Sequence, residues 1–135
     1  MLEKIDHVGI AVRDLKLATA RYTILMAAPP QHVEEVAGQN VKVAMFEVGE
    51  SRLELLAATS PDSTIAKFLD KRGEGIHHIC FKVADLDAMV TRLRQEGMEI
   101  LPDAGAPGAE GSRIAFLHPR SAAGVLIELV EKKTG

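Results

Sequence analysis

The sequence predicts an α+β fold built from two tandem βαβββ modules. Three observations carry that expectation. A short strand-to-helix motif occurs twice, first as Asp6-His7-Val8-Gly9-Ile10-Ala11-Val12-Arg13-Asp14-Leu15 and again as His77-His78-Ile79-Cys80-Phe81-Lys82-Val83-Ala84-Asp85-Leu86. Each half ends in an aliphatic strand with one glutamate in it, Leu53-Glu54-Leu55-Leu56 and Leu126-Ile127-Glu128-Leu129. In both halves a period-2 pattern changes to helical spacing directly after the motif.

In the first half, alternation sets Val8, Ile10 and Val12 on one face and His7, Gly9 and Ala11 on the other. Asp14 is a suitable N-cap for a helix whose apolar positions are Leu15, Ala18, Tyr22 and Leu25, and Pro29-Pro30 stops it. Strands are expected near 31–37, 41–48 and 51–57, with Gly38-Gln39-Asn40 and Gly49-Glu50 as turns. Ser60-Pro61-Asp62-Ser63 then offers Ser at N-cap and Pro at N1 for a short linking helix to about Asp70.

The second half repeats the order. Ile79, Phe81 and Val83 alternate with His78, Cys80 and Lys82. Asp85 caps a helix to about Glu96 with Leu86, Met89, Val90 and Leu93 inside, and Gly97 ends it. Strands follow near 98–101, 113–117 and 124–131. The modules thus run from about 3 to 58 and from about 75 to 131, joined by a linker helix at about 60–71, in a single domain spanning 1–135. Residues 102–112, rich in Gly, Ala and Pro, have no counterpart in the first half. Such a loop suits a mobile lid, a ligand-contacting segment or a long surface connection.

Composition narrows the function classes. The 135 residues, 47% hydrophobic and 26% charged with a formal net charge of −3, suit a globular domain and give no electrostatic reason to expect nucleic acid or an anionic membrane. Cys80 stands alone, so no intrachain disulfide forms and an intracellular setting is expected. With no signal-like N-terminus and no apolar stretch of membrane-spanning length, the chain is expected to be cytoplasmic.

A single strand histidine is ordinarily a hydrogen-bonded core or surface residue, and a strand glutamate ordinarily faces solvent. Here the repetition changes the reading. His7 and His78 share a face with Gly9, Ala11 and Cys80, while the larger aliphatic side chains point toward the helices. Glu128 is the only polar side chain between residues 125 and 130, and a buried carboxylate calls for a cation. Two imidazoles and two carboxylates suit a borderline divalent ion such as Co²⁺, Ni²⁺, Mn²⁺, Fe²⁺ or Zn²⁺. Four protein ligands on an ion that prefers six leave two neighbouring positions for a chelating substrate.

These motifs resemble the vicinal oxygen chelate superfamily, and within it the methylmalonyl-CoA epimerase family. The likeness covers nearly the whole chain. It is carried by Ile5 to Val12, Leu53 to Leu56, Ser60 to Leu69, Gly75 to Ile79, and Phe116-Leu117-His118-Pro119 with Gly124 to Leu129. The resemblance implies a curved, barrel-like mixed sheet around a metal-binding cleft and a homodimer. It implies a metal-dependent isomerase acting on an acyl-CoA thioester, methylmalonyl-CoA. By that resemblance His7, His78 and Glu128 fall on metal ligands, and Glu54 on a fourth position that is glutamine in some relatives. Pairing the halves makes His78, rather than His77, the partner of His7.

The implied chemistry needs an acid/base group on each side of an enolate plane. Glu128 is the first and Glu54 a candidate for the second. Some relatives carry a glutamate where this chain has Val43, and Glu47 shares Val43's face, so the second base stays open. Lys67, Lys71, Arg72 and Arg113 are available to a CoA tail without being assigned to it. A glyoxalase I-like lactoylglutathione lyase and a metal-free small-molecule-binding protein of the same fold are the alternatives.

Overall fold

The structure, a computed structural model, describes residues 1–133 and divides into two compact units. One unit comprises residues 7–77; the other comprises the residues from 78 onward together with the first six. The first contains the second half of β1 (Leu2–Ala11), α1 (Leu15–Met26), β2 (His32–Val36), β3 (Val41–Val48), β4 (Ser51–Ala58) and α2 (Thr64–Arg72). The second contains most of β5 (Gly75–Val83), then α3 (Leu86–Gln95), β6 (Ala106–Pro107), β7 (Arg113–Leu117) and β8 (Ile127–Glu131). Strands run β2-β3-β4-β1 in one and β5-β8-β7-β6 in the other. In each module the first strand lies parallel to the last, and the other pairs are antiparallel. The α+β class and the paired βαβββ modules are as the sequence predicts.

Both module helices start in the same way. Asp14 accepts from the Leu17 amide at 3.0 Å and Asp85 from the Ala88 amide at 3.0 Å, each satisfying a donor of the first turn. Helix α1 ends at Ala27, whose φ of 56° is left-handed, just before the two prolines. Its inner stripe of Leu15, Ala18, Tyr22 and Met26 packs on Ile10, Val12, Phe46 and Leu55. Leu25, expected on that stripe, is 72% exposed. Helical spacing leaves Leu25 and Met26 on opposite flanks of the stripe, and the seating of α1 on its strands selects Met26. Helix α3 buries Leu86, Met89, Val90 and Leu93 against Ala115, Leu117 and Leu129, as anticipated.

The linking helix starts later than expected. Ser63 is its N-cap and accepts from the Ala66 amide at 3.0 Å, while Ser60 and Pro61 form the preceding turn. Pro suits the second position of such a turn, and the later start sets Ile65 and Leu69 on the buried side. The strand expected at 98–101 is reduced to a bridge between Ile100 and Leu117. Pro102 brings no amide donor to a ladder, and Asp103 follows at a φ of 70°. The last strand begins at Ile127, because Pro119–Ser121 forms a 3₁₀ turn and Ala123 and Gly124 take positive φ of 56° and 87°.

The Gly/Ala/Pro loop is bound to β7. The Gly105 amide donates to the Ile114 carbonyl of β7 at 2.7 Å, and within the loop the Gly108 amide donates to the Ser112 carbonyl at 2.9 Å. A Cβ at Gly108 would stand 2.7 Å from both Ile114 Cγ2 and Ser112 Oγ, so any side chain there forces one of them to shift. Among the described residues, no helix is long and apolar enough to cross a membrane.

Candidate metal centre

Strand register builds the same pair twice. In the first module Gly9 lies opposite Glu54, so Glu54 neighbours His7 diagonally on one face. In the second, Cys80 lies opposite Glu128, and His78 stands the same two residues earlier. The two diagonals match because the chain repeats both the motif and the parallel pairing. Leu53, Leu55 and Ala57 pack toward α1, which turns Glu54 to the other face. Ile127 and Leu129 pack toward α3, which does the same for Glu128.

All four side chains are buried, with 4–7% of each residue exposed. His7 Nδ1 lies 3.3 Å from Glu54 Oε2, and His78 Nε2 lies 2.8 Å from Glu128 Oε1. Donors at about 2.1 Å from one ion and at right angles stand about 3 Å apart, so each pair has the spacing of adjacent ligands. Each pair, an imidazole nitrogen beside a carboxylate oxygen, offers donors of the kind a borderline divalent ion takes.

The surroundings of the pairs differ. Arg52 Nη2 lies 3.2 Å from Glu54 Oε2, and its Nη1 donates to Met45 Sδ at 3.3 Å. The corresponding position in the second module is Leu126. There the His78 ring meets Phe116 edge to face, with centroids 6.3 Å apart. Neither Arg52 nor Phe116 emerges from reading the motifs alone. Arg52 could have been found from alternation, since it precedes Glu54 by two on the same strand face.

Other residues singled out by the sequence lie elsewhere. His77 is half-buried and packs edge to face on Phe68 of α2, with centroids 5.0 Å apart. Val43 is buried opposite Leu56, on the face that carries Glu54. Glu47 is exposed at the end of β3, opposite Arg52 in register. Lys67 and Lys71 are exposed, and the Arg72 guanidinium lies 6.0 Å from the Phe68 ring centroid. Arg113 is engaged by Asp87 at 2.9 Å and Glu131 at 3.6 Å, and the hydrogen bond and charge of Asp87 push its pKa up.

Residues 6–116 match the glyoxalase/bleomycin resistance protein/dioxygenase superfamily. The chain is 37% identical over 132 residues to an ethylmalonyl-CoA/methylmalonyl-CoA epimerase of Cereibacter sphaeroides, covering 96% of this chain and 98% of that one. It superposes with a TM-score of 0.93 on a hypothetical protein from Bacillus halodurans at 44% identity, covering 98% and 96% of the two chains. It superposes with a TM-score of 0.94 on a variant of a Streptomyces coelicolor methylmalonyl-CoA epimerase bound to 2-nitronate-propionyl-CoA, at 41% identity over 99% and 97%.

Proposed function

We infer an activity from one premise: the chain belongs to the glyoxalase/bleomycin resistance protein/dioxygenase superfamily. On that premise we propose that it interconverts (R)- and (S)-methylmalonyl-CoA, as a single-domain, homodimeric cytoplasmic enzyme. The observation that carries the reading is the buried carboxylate of Glu128 at 2.8 Å from His78, mirrored by Glu54 beside His7. Epimerases of this substrate class among the relatives support it.

In this reading His7, Glu54, His78 and Glu128 hold one divalent ion. When bound, such an ion supplies positive charge for the thioester and carboxylate oxygens, lowering the cost of the negative charge that develops when the α-proton leaves. Glu128 takes that proton. Its carboxylate lies beside His78 on the sheet face of Phe116 and Val130 and is 7% exposed, which limits the access of competing water. Inversion requires a proton returned on the other side of the plane. Glu54, the buried carboxylate of the other module, is assigned that step, since Val43 has no acid/base group and Glu47 is exposed.

The test is incubation with methylmalonyl-CoA in D₂O, with and without chelator, beside the hemithioacetal of glutathione. Metal-dependent deuterium at the α-carbon and equilibration of the epimers are expected, with no lyase product. An absence of exchange after Co²⁺, Ni²⁺, Mn²⁺, Fe²⁺ and Zn²⁺ have each been restored would overturn the reading.

A further inference from the structure

We propose that Arg52 is a positioning residue for Glu54, fixing the carboxylate that the first module brings to the metal. The inference rests on the metal reading above and adds a residue to it. Three observations carry it. Arg52 Nη2 and His7 Nδ1 both reach the same oxygen, Glu54 Oε2, at 3.2 and 3.3 Å. The guanidinium is itself held, because Nη1 donates to Met45 Sδ at 3.3 Å and the side chain is only 18% exposed. Met45 lies directly opposite Glu54 across β3 and β4, so Arg52, Met45 and Glu54 form a closed triangle on one sheet face.

The physical argument is one of orientation. A glutamate side chain has three torsions, and a strand position alone does not choose among its rotamers. A positive charge held 3.2 Å from one of the two carboxylate oxygens does choose, because it favours the rotamer that keeps that oxygen beside it. Groups that orient a metal ligand without touching the ion typically change metal affinity by about 10- to 100-fold when removed. The second module has Leu126 at the matching position and sets Glu128 by the shorter contact to His78 instead. The two carboxylates are therefore not equivalent: Glu54 has a cation at 3.2 Å, whereas the sequence offers no cation at the matching position before Glu128.

The experiment titrates Co²⁺ into the metal-free full-length chain and follows visible absorption, for wild type, R52M, R52K, E54Q and R52M/E54Q. R52M is expected to weaken Co²⁺ affinity by about 10- to 100-fold, R52K to recover part of the loss, and R52M to change nothing further once Glu54→Gln is present. Equal affinity of wild type and R52M overturns the inference alone, as does an undiminished effect of R52M in the E54Q background, which marks general structural damage. Should R52M fail to fold, R52K against wild type in both backgrounds carries the same comparison. A wild type that takes up no Co²⁺, Ni²⁺ or Zn²⁺ overturns the metal reading, and this inference with it.

Discussion

His78 Nε2 stands 2.8 Å from Glu128 Oε1, joining two buried side chains of neighbouring parallel strands, β5 and β8. The pair exists because Cys80 is the residue opposite Glu128, so the histidine is reached across a two-residue diagonal. A shift of one residue in either strand would turn one partner toward α3 and separate them. The contact therefore reports strand register as much as chemistry.

From that relationship the first expectation concerns Glu128→Gln. The amide keeps the shape and an oxygen donor beside His78, but it cannot accept the α-proton. Deuterium incorporation from solvent should fall by about 10²- to 10⁴-fold, the usual contribution of a positioned base. Mass spectrometry of the substrate pool checks this, and exchange at the wild-type rate would remove Glu128 from the role of base.

A second expectation concerns the loop before β7. Gly108→Ala places a methyl group 2.7 Å from Ile114 Cγ2 and Ser112 Oγ. Ile114 belongs to the small core with Cys80 and Val130, so the clash is passed to the sheet face that carries Glu128. A loss of about 1–3 kcal/mol in a urea unfolding series is expected. An unchanged midpoint would mean that the loop yields without resistance.

The third concerns the linking helix. Ser63→Ala removes the side-chain acceptor for the Ala66 amide and should cost about 1 kcal/mol. Ser60→Ala loses only a 3.2 Å contact to the Asp62 amide within an exposed turn and should stay within about 0.5 kcal/mol of wild type. Thermal melts of the two variants side by side check the order, and a larger cost at Ser60 would place the cap where the sequence first suggested it.

Much of the fold is legible in the chain because it rests on short-range rules. Asp14 and Asp85 are read as caps from their place before an apolar helical stripe, and both accept the expected amide. Alternation in β5 and β8 separates the side chains packed on α3 from those on the face of His78 and Glu128. Where two local solutions were nearly equal, reading failed. Ser60 and Ser63 both suit an N-cap, and Leu25 and Met26 flank one stripe. The strand expected at 98–101 has the right alternation, yet Pro102 and the turn after it leave only a bridge.

By itself the sequence determined the duplication and the βαβββ order, and it singled out His7, Glu54, His78 and Glu128 as residues of matching strand faces, because repeats and period-2 faces are properties of residue order. Tertiary structure alone decided which residue lies opposite which. It set the diagonals that make each His–Glu pair, seated Met26 rather than Leu25 under α1, and brought Arg52 and Met45 to Glu54. The physical reason is that register and packing minimise the free energy of the whole sheet, through contacts between residues far apart in the chain, which no local pattern encodes.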